Sequence, residues 1–180
     1  MNLREALDKP IILAGIMGSG KSTVGKKLAR RLNLQFYDSD KVIEDRHGLS
    51  VVDIYDFKGP DYFQQQETKV ITEILGYGQL VLSTGGGSFA NQELRSLMKS
   101  SAITIWLSAS IDVLYERVNR RNTRPELNHG DKKAILQKMI DDSKDLAEQA
   151  DIIVESLEND SHYIVDVIIS RLKKHYNVLF

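Results

Sequence analysis

Gly15-Ile16-Met17-Gly18-Ser19-Gly20-Lys21-Ser22 is the stretch on which the reading of this chain turns. It fills every position of the pattern G-x-x-x-x-G-K-[ST]. The stretch begins at the end of a short apolar run, IILAG (11–15). It leads into a helical pattern over Lys21 to Leu32, where Val24, Leu28, Ala29 and Leu32 share one face. Glycines let successive backbone N–H groups turn inward as an anion-binding nest. The helix that follows aims its free N–H groups and positive dipole end at the same anion. Lys21 then reaches for β- and γ-phosphates, and the Ser22 hydroxyl is placed to ligate Mg²⁺. A glycine turn that merely joins a strand to a helix is the plainer alternative. A complete pattern, correctly set between a predicted strand and a predicted helix, favours a nucleoside triphosphate site.

Working outward, the same alternation continues. LQFYD (34–38), QLVLST (79–84), AITIWL (102–107) and DIIV (151–154) read as four further strands. Helical patterns separate them near 39–47, 60–76, 91–99, 110–121, 131–148 and 159–176. Strands alternating with helices of this length predict right-handed crossovers and a mostly parallel α/β sheet. The almost wholly apolar strands agree, because a parallel sheet is covered on both faces. NTRPELNHGD (122–131), with Pro125 and Gly130, interrupts the pattern and reads as a mobile surface loop.

The whole chain has 180 residues, so the expectation is a single domain over 1–180. It is 42% hydrophobic and 27% charged, which excludes a disordered or collagen-like chain. With no cysteine it has no disulfide framework, thiolate metal site or cysteine nucleophile. A net charge of −1 provides no broad field to draw in nucleic acid or an anionic membrane. MNLREALDKP (1–10) has no apolar leader segment, and a cytoplasmic monomer is expected.

Two further clusters fall at C-terminal strand ends beside the phosphate loop, where open α/β sheets place their ligands. Asp38 and Asp40 are two residues apart and share one side of an extended chain. One can hold the Mg²⁺ shell while the other orients an acceptor hydroxyl or takes its proton. A helix N-cap at Ser39 or Asp40 is the competing reading. Gly85, Gly86 and Gly87 permit a ligand to lie against backbone amides, or else make a tight turn. Arg117, Arg120, Arg121 and Arg124 gather near a helix end and the polar loop. Arg124, beside Pro125, suits a residue that closes over transferring phosphate; Arg120 and Arg121 suit solvated positions favourable to a helix dipole. His47, His129, His162 and His175 have no metal-ligand spacing, and Trp106 belongs to an apolar strand.

Taken together, GIMGSGKSTVGKKLA, FYDSD, STGGGS and the Arg117…Arg124-Pro125 segment resemble the shikimate kinase family of P-loop proteins. The resemblance runs over about 10–155 and implies a five-stranded parallel sheet in order 2-3-1-4-5, flanked by helices. It implies a lid over ATP at about 122–131 and an acceptor-binding region at about 39–70. Gly18, Ser19, Gly20, Lys21, Ser22 and Thr23 would bind the nucleotide, with Arg117 near adenine and Arg124 on the phosphates. Ser22 and Asp38 would hold Mg²⁺, while Asp40 would contact the acceptor hydroxyls as candidate base. Gly85, Gly86 and Gly87 would line the acceptor site. The acceptor would be shikimate, converted to shikimate 3-phosphate.

Two positions depart from the family pattern. Where the family has arginine in an F-R-x-x-E segment, this chain has Phe63-Gln64-Gln65-Gln66-Glu67. Where it has arginine in an R-x-P-x-Y run, Asp142 stands in Asp142-Ser143-Lys144-Asp145-Leu146. Glutamine donates a neutral hydrogen bond but has no charged bidentate fork for a carboxylate. A kinase acting on a non-carboxylate polyol or sugar is therefore an alternative, and a non-catalytic nucleotide-binding protein a third.

Overall fold

The computed structural model describes residues 2–120, 130–156 and 160–178. Five strands, β1 (Ile11–Ala14), β2 (Gln35–Asp38), β3 (Leu80–Ser83), β4 (Ile103–Ser108) and β5 (Ile152–Glu155), form a parallel sheet in order β2-β3-β1-β4-β5. The order is the one the resemblance implied. It puts β1 at the centre, between β3 and β4, so whatever leaves its C-terminal end sits in the middle of one edge.

Side chains alternate across β1. Ile11 and Leu13 join the apolar cluster on one face, and Ile12 and Ala14 join the other. The first face is covered by α1 (Leu3–Ala6), α2 (Lys21–Leu32) and α9 (Ser161–His175), through Leu3, Val24, Leu28, Ile164 and Ile168. The opposite face is covered by α3 (Ser39–His47), α4 (Val51–Lys58), α5 (Pro60–Leu75), α6 (Gln92–Ser101), α7 (Ile111–Asn119) and α8 (Lys132–Ala147). Trp106 is buried in that second cluster, against Phe89. Among the described residues no helix is long and apolar enough to cross a membrane.

Three differences from the sequence reading have physical causes. Val51–Lys58 forms a helix, α4, that no period announces, because Val51, Val52, Ile54, Tyr55 and Phe57 crowd apolar side chains into eight residues. Its start is marked instead by Ser50, whose side chain accepts from Asp53 N. Second, β5 is an edge strand covered on one face only: Ile152 and Val154 are buried, while Ile153 is 44% exposed. Third, the cap of α3 is Asp38, which accepts from Lys41 N, so Ser39 and Asp40 occupy its first turn.

Helix α2 can approach the sheet closely because Gly25 has no side chain. A Cβ there would lie 2.5 Å from the Phe36 ring and 3.2 Å from Leu13 Cδ1. Gly25→Val should therefore lower stability by about 1–3 kcal/mol through overpacking. The check is the urea midpoint, with circular dichroism confirming that helix content is kept; an unchanged midpoint would contradict this close contact.

Candidate active site

The turn from β1 into α2 is made by three glycines in the left-handed half of backbone space, Gly15 (φ 141), Gly18 (φ 79) and Gly20 (φ 93). Gly15 is doubly constrained, since a Cβ would lie 2.5 Å from the carbonyl oxygen of Leu107. The curl carries its own cation. Lys21 Nζ donates to the carbonyls of Gly15 (2.7 Å) and Ile16 (3.0 Å), and the residue is only 8% exposed.

What starts α2 distinguishes it. Helices α3, α4, α6, α7, α8 and α9 each begin at an Asp, Ser or Asn side chain that accepts an N-terminal N–H. Helix α5 also starts at a glycine without a side-chain cap, Gly59, but has Asp61 in its first turn; α2 begins at Gly20 with neither a cap nor an acid. Its N–H groups and positive dipole end are left for another acceptor, which is the preparation an anion site requires.

A cavity of about 760 Å³ opens over this end, within the range of small-molecule sites. Gly18, Gly20, Lys21, Ser22 and Thr23 line it from the loop, Asp38 and Asp40 from β2 and α3, and Arg117 from α7. The Ser22 hydroxyl donates to the Asp38 carboxylate, and Ser83 Oγ lies 3.4 Å from it. Asp38 thus caps α3 and receives Ser22 at once. This pair of hard oxygen donors suits Mg²⁺, which takes one or two protein oxygens and completes its shell with phosphate and water. Among the described residues no group of three or more His, Asp or Glu could hold a metal by itself.

Arg117 sits beneath the curl. Its Nη1 donates to the carbonyls of Gly18 (3.2 Å) and Ser19 (3.3 Å) and to Ser156 Oγ (2.9 Å). The arginine read as a nucleotide contact also braces the loop. Arg120 lines the cavity and pairs with Glu116. Arg121 and Arg124, and the lid segment apart from Gly130 and Asp131, fall outside the described residues.

The triple glycine is largely a packing device. A Cβ at Gly85 would lie 2.5 Å from Glu67 Oε1 and 3.0 Å from Asp40 Oδ1, and one at Gly86 would lie 3.2 Å from Met17 N. Gly85 thus lets two carboxylates meet, and Gly86 lets β3 lie against the phosphate loop. Gly87 alone faces open space. Gln64 on α5 and Asp142 on α8 are exposed and are not among the residues lining the cavity. Asp142 pairs with Lys138, and Lys144 with Asp141 at 2.9 Å.

Glu67 is the site residue that the sequence reading overlooked. It is 6% exposed, takes a hydrogen bond from Ser88 Oγ, and faces Asp40 across Gly85. Burial, with the Asp40 charge adding, pushes its carboxyl up to about 7 against the softening effect of the Ser88 bond. The signal was present: Phe63, Glu67, Val70, Ile71 and Ile74 form the buried stripe of α5, with a glutamate in its middle.

Comparison with known proteins agrees with this geometry. The family model described as shikimate kinase matches residues 17–173. The shikimate kinase of Rhodopseudomonas palustris is 39% identical over 165 residues, 92% of this chain and 81% of the relative. That of Brucella canis is 36% identical over 167 residues, 93% and 84% of the two chains. The structure of shikimate kinase from Acinetobacter baumannii in complex with shikimate superposes with a TM-score of 0.90. Its identity is 28%, and the match covers 96% of this chain and 98% of that one.

Glu67 generates a pH prediction. Its folded-state proton affinity exceeds that of the unfolded chain, where glutamate titrates near 4.5. The stability it contributes is complete below that value and is lost as pH rises through about 7. Glu67→Gln removes this loss, a difference on the order of 3 kcal/mol above neutrality. Thermal melts from about pH 5 to pH 8 should show the wild-type Tm falling more steeply than that of the variant. Parallel curves would contradict the burial of a protonated Glu67.

Proposed function

This chain belongs to the shikimate kinase family, and from that membership we propose that it transfers the γ-phosphoryl group of ATP to a hydroxyl of shikimate. The family is one of ATP-dependent kinases. The observation that carries the proposal is the uncapped start of α2 inside a glycine curl holding Lys21, facing a cavity that Asp38 and Asp40 also line.

Lys21 exchanges the Gly15 and Ile16 carbonyls for β- and γ-phosphate oxygens, and the free N–H groups of the curl and of α2 take the remaining negative charge. Ser22 and Asp38 would hold Mg²⁺, which neutralises charge on the phosphates when bound. Asp40 orients the acceptor hydroxyl for in-line attack and accepts its proton. Gly85 lets Glu67 stand behind Asp40, so the carboxyl wall is kept dry and fixed. Arg124, in the proposed lid, comes down on the transferring group.

A second reading concerns the acceptor alone. Gln64 and Asp142 are both exposed, Asp142 is paired with Lys138, and neither supplies a fixed cation for a carboxylate. A polyol without a carboxylate suits these residues. A coupled ADP-release assay over shikimate, quinate, gluconate and simple sugars separates the two. Turnover of shikimate well above the others supports the first reading. Shikimate turnover that appears only in Gln64→Arg/Asp142→Arg supports the second.

Lys21→Met should lower kcat by a factor of about 10² or more, since it removes a principal donor to the transferring phosphate. The melting temperature should fall as well, because the Gly15 and Ile16 carbonyls lose their donor, while circular dichroism keeps the wild-type helix content. ATP-dependent turnover that survives the substitution would overturn the proposed chemistry.

A further inference from the structure

Each carbonyl oxygen that the curl of the phosphate loop takes out of regular pairing must be satisfied by another donor. Gly15 and Ile16 give theirs to Lys21, and Gly20 gives its own to Val24 N at 2.9 Å. Gly18 and Ser19 depend on Arg117. Turning those two carbonyls outward is what turns the neighbouring N–H groups inward, so the shape of the nest rests on where one guanidinium nitrogen stands.

Ser156 fixes that nitrogen. It follows β5 directly, is 1% exposed, and accepts from Arg117 Nη1 at 2.9 Å, the shortest of the three contacts that Nη1 makes with the loop and β5. Its own backbone N–H is anchored on the Ser108 carbonyl at 2.6 Å, which ties it to the end of β4. The three groups converge under Gly20, where a Cβ would lie 3.5 Å from both Arg117 Nη1 and Ser156 Oγ. A hydroxyl held by two strand ends is a stiff support, whereas an arginine on a seven-atom side chain is not stiff by itself.

We infer that Ser156 is a positioning residue for the nucleotide: its hydroxyl holds Arg117 against the Gly18 and Ser19 carbonyls and so keeps the phosphate loop shaped for a diphosphate. The inference rests on the nucleotide-binding part of the proposed function and adds a residue that does not itself touch phosphate.

The test is calorimetric titration with ADP at fixed salt, on the full chain. Ser156→Ala should weaken ADP binding about tenfold, as expected for losing a hydrogen bond to a charged group. Ser156→Thr, which keeps the hydroxyl, should bind more tightly than Ser156→Val, which matches it in size. That pair also keeps the comparison sound if Ser156→Ala lowers Tm. In an Arg117→Ala background Ser156→Ala should cause no further loss. The inference is overturned if Ser156→Ala stays within twofold of the wild type, if Thr and Val behave alike, or if the two losses multiply in the double variant. Wild-type protein that takes up no ADP would instead defeat the nucleotide reading, which keeps the two failures apart.

Discussion

A backbone that curls as tightly as Gly15 to Gly20 must find partners for its carbonyl oxygens, and the rest of the site is arranged around that need. A lysine from the first turn of α2 takes two of them and an arginine from α7 takes two more. Lys21 follows the curl directly, but Arg117 reaches it only because β1 lies beside β4, since α7 follows β4 and leans back over the loop. The strand order is thus a condition for the curl as well as a consequence of right-handed crossovers. The crowding of Gly15 by the Leu107 carbonyl expresses the same adjacency at atomic distance.

The acidic wall is built from economies of the same kind. Asp38 ends β2, caps α3 and takes the Ser22 hydroxyl, so one side chain joins strand, helix and phosphate loop. Asp40 lies one residue into α3, near its positive end, where a carboxylate is favoured. Behind it, Glu67 is buried within an apolar helix face and kept there by Ser88. Burial, more than the nearby Asp40 charge, raises the Glu67 carboxyl to about 7, which limits the negative charge gathered behind Asp40.

Much of this was legible in the residues. The motif from Gly15 to Ser22 and the five strands each have a local mechanical reason, and local reasons can be read from a sequence. The Asp38–Asp40 pair does line the cavity, but with Asp40 in the first turn of α3 rather than on an extended chain. The helix over Val51–Lys58 could not be read from periodicity, because five apolar residues in eight fit no single stripe. Glu67 was passed over because a glutamate reads as a surface residue until the stripe on either side of it is noticed. Gly85 and Gly86 were read as space for a ligand, and much of that space is taken up by Glu67, Asp40 and Met17. The loop contacts of Arg117 lie beyond any pattern, since they join residues 98 and 99 positions apart.

Lys21 is satisfied before any ligand arrives, and this sets the terms on which ligands are held. The Gly15 and Ile16 carbonyls act as a tethered competitor, always present and impossible to dilute away. Every phosphate that enters must displace them, so an observed dissociation constant records a difference between two sets of bonds to one ammonium group. A ligand richer in phosphate oxygens has more bonds to offer in that exchange, so the same ammonium group favours a polyphosphate over a small anion.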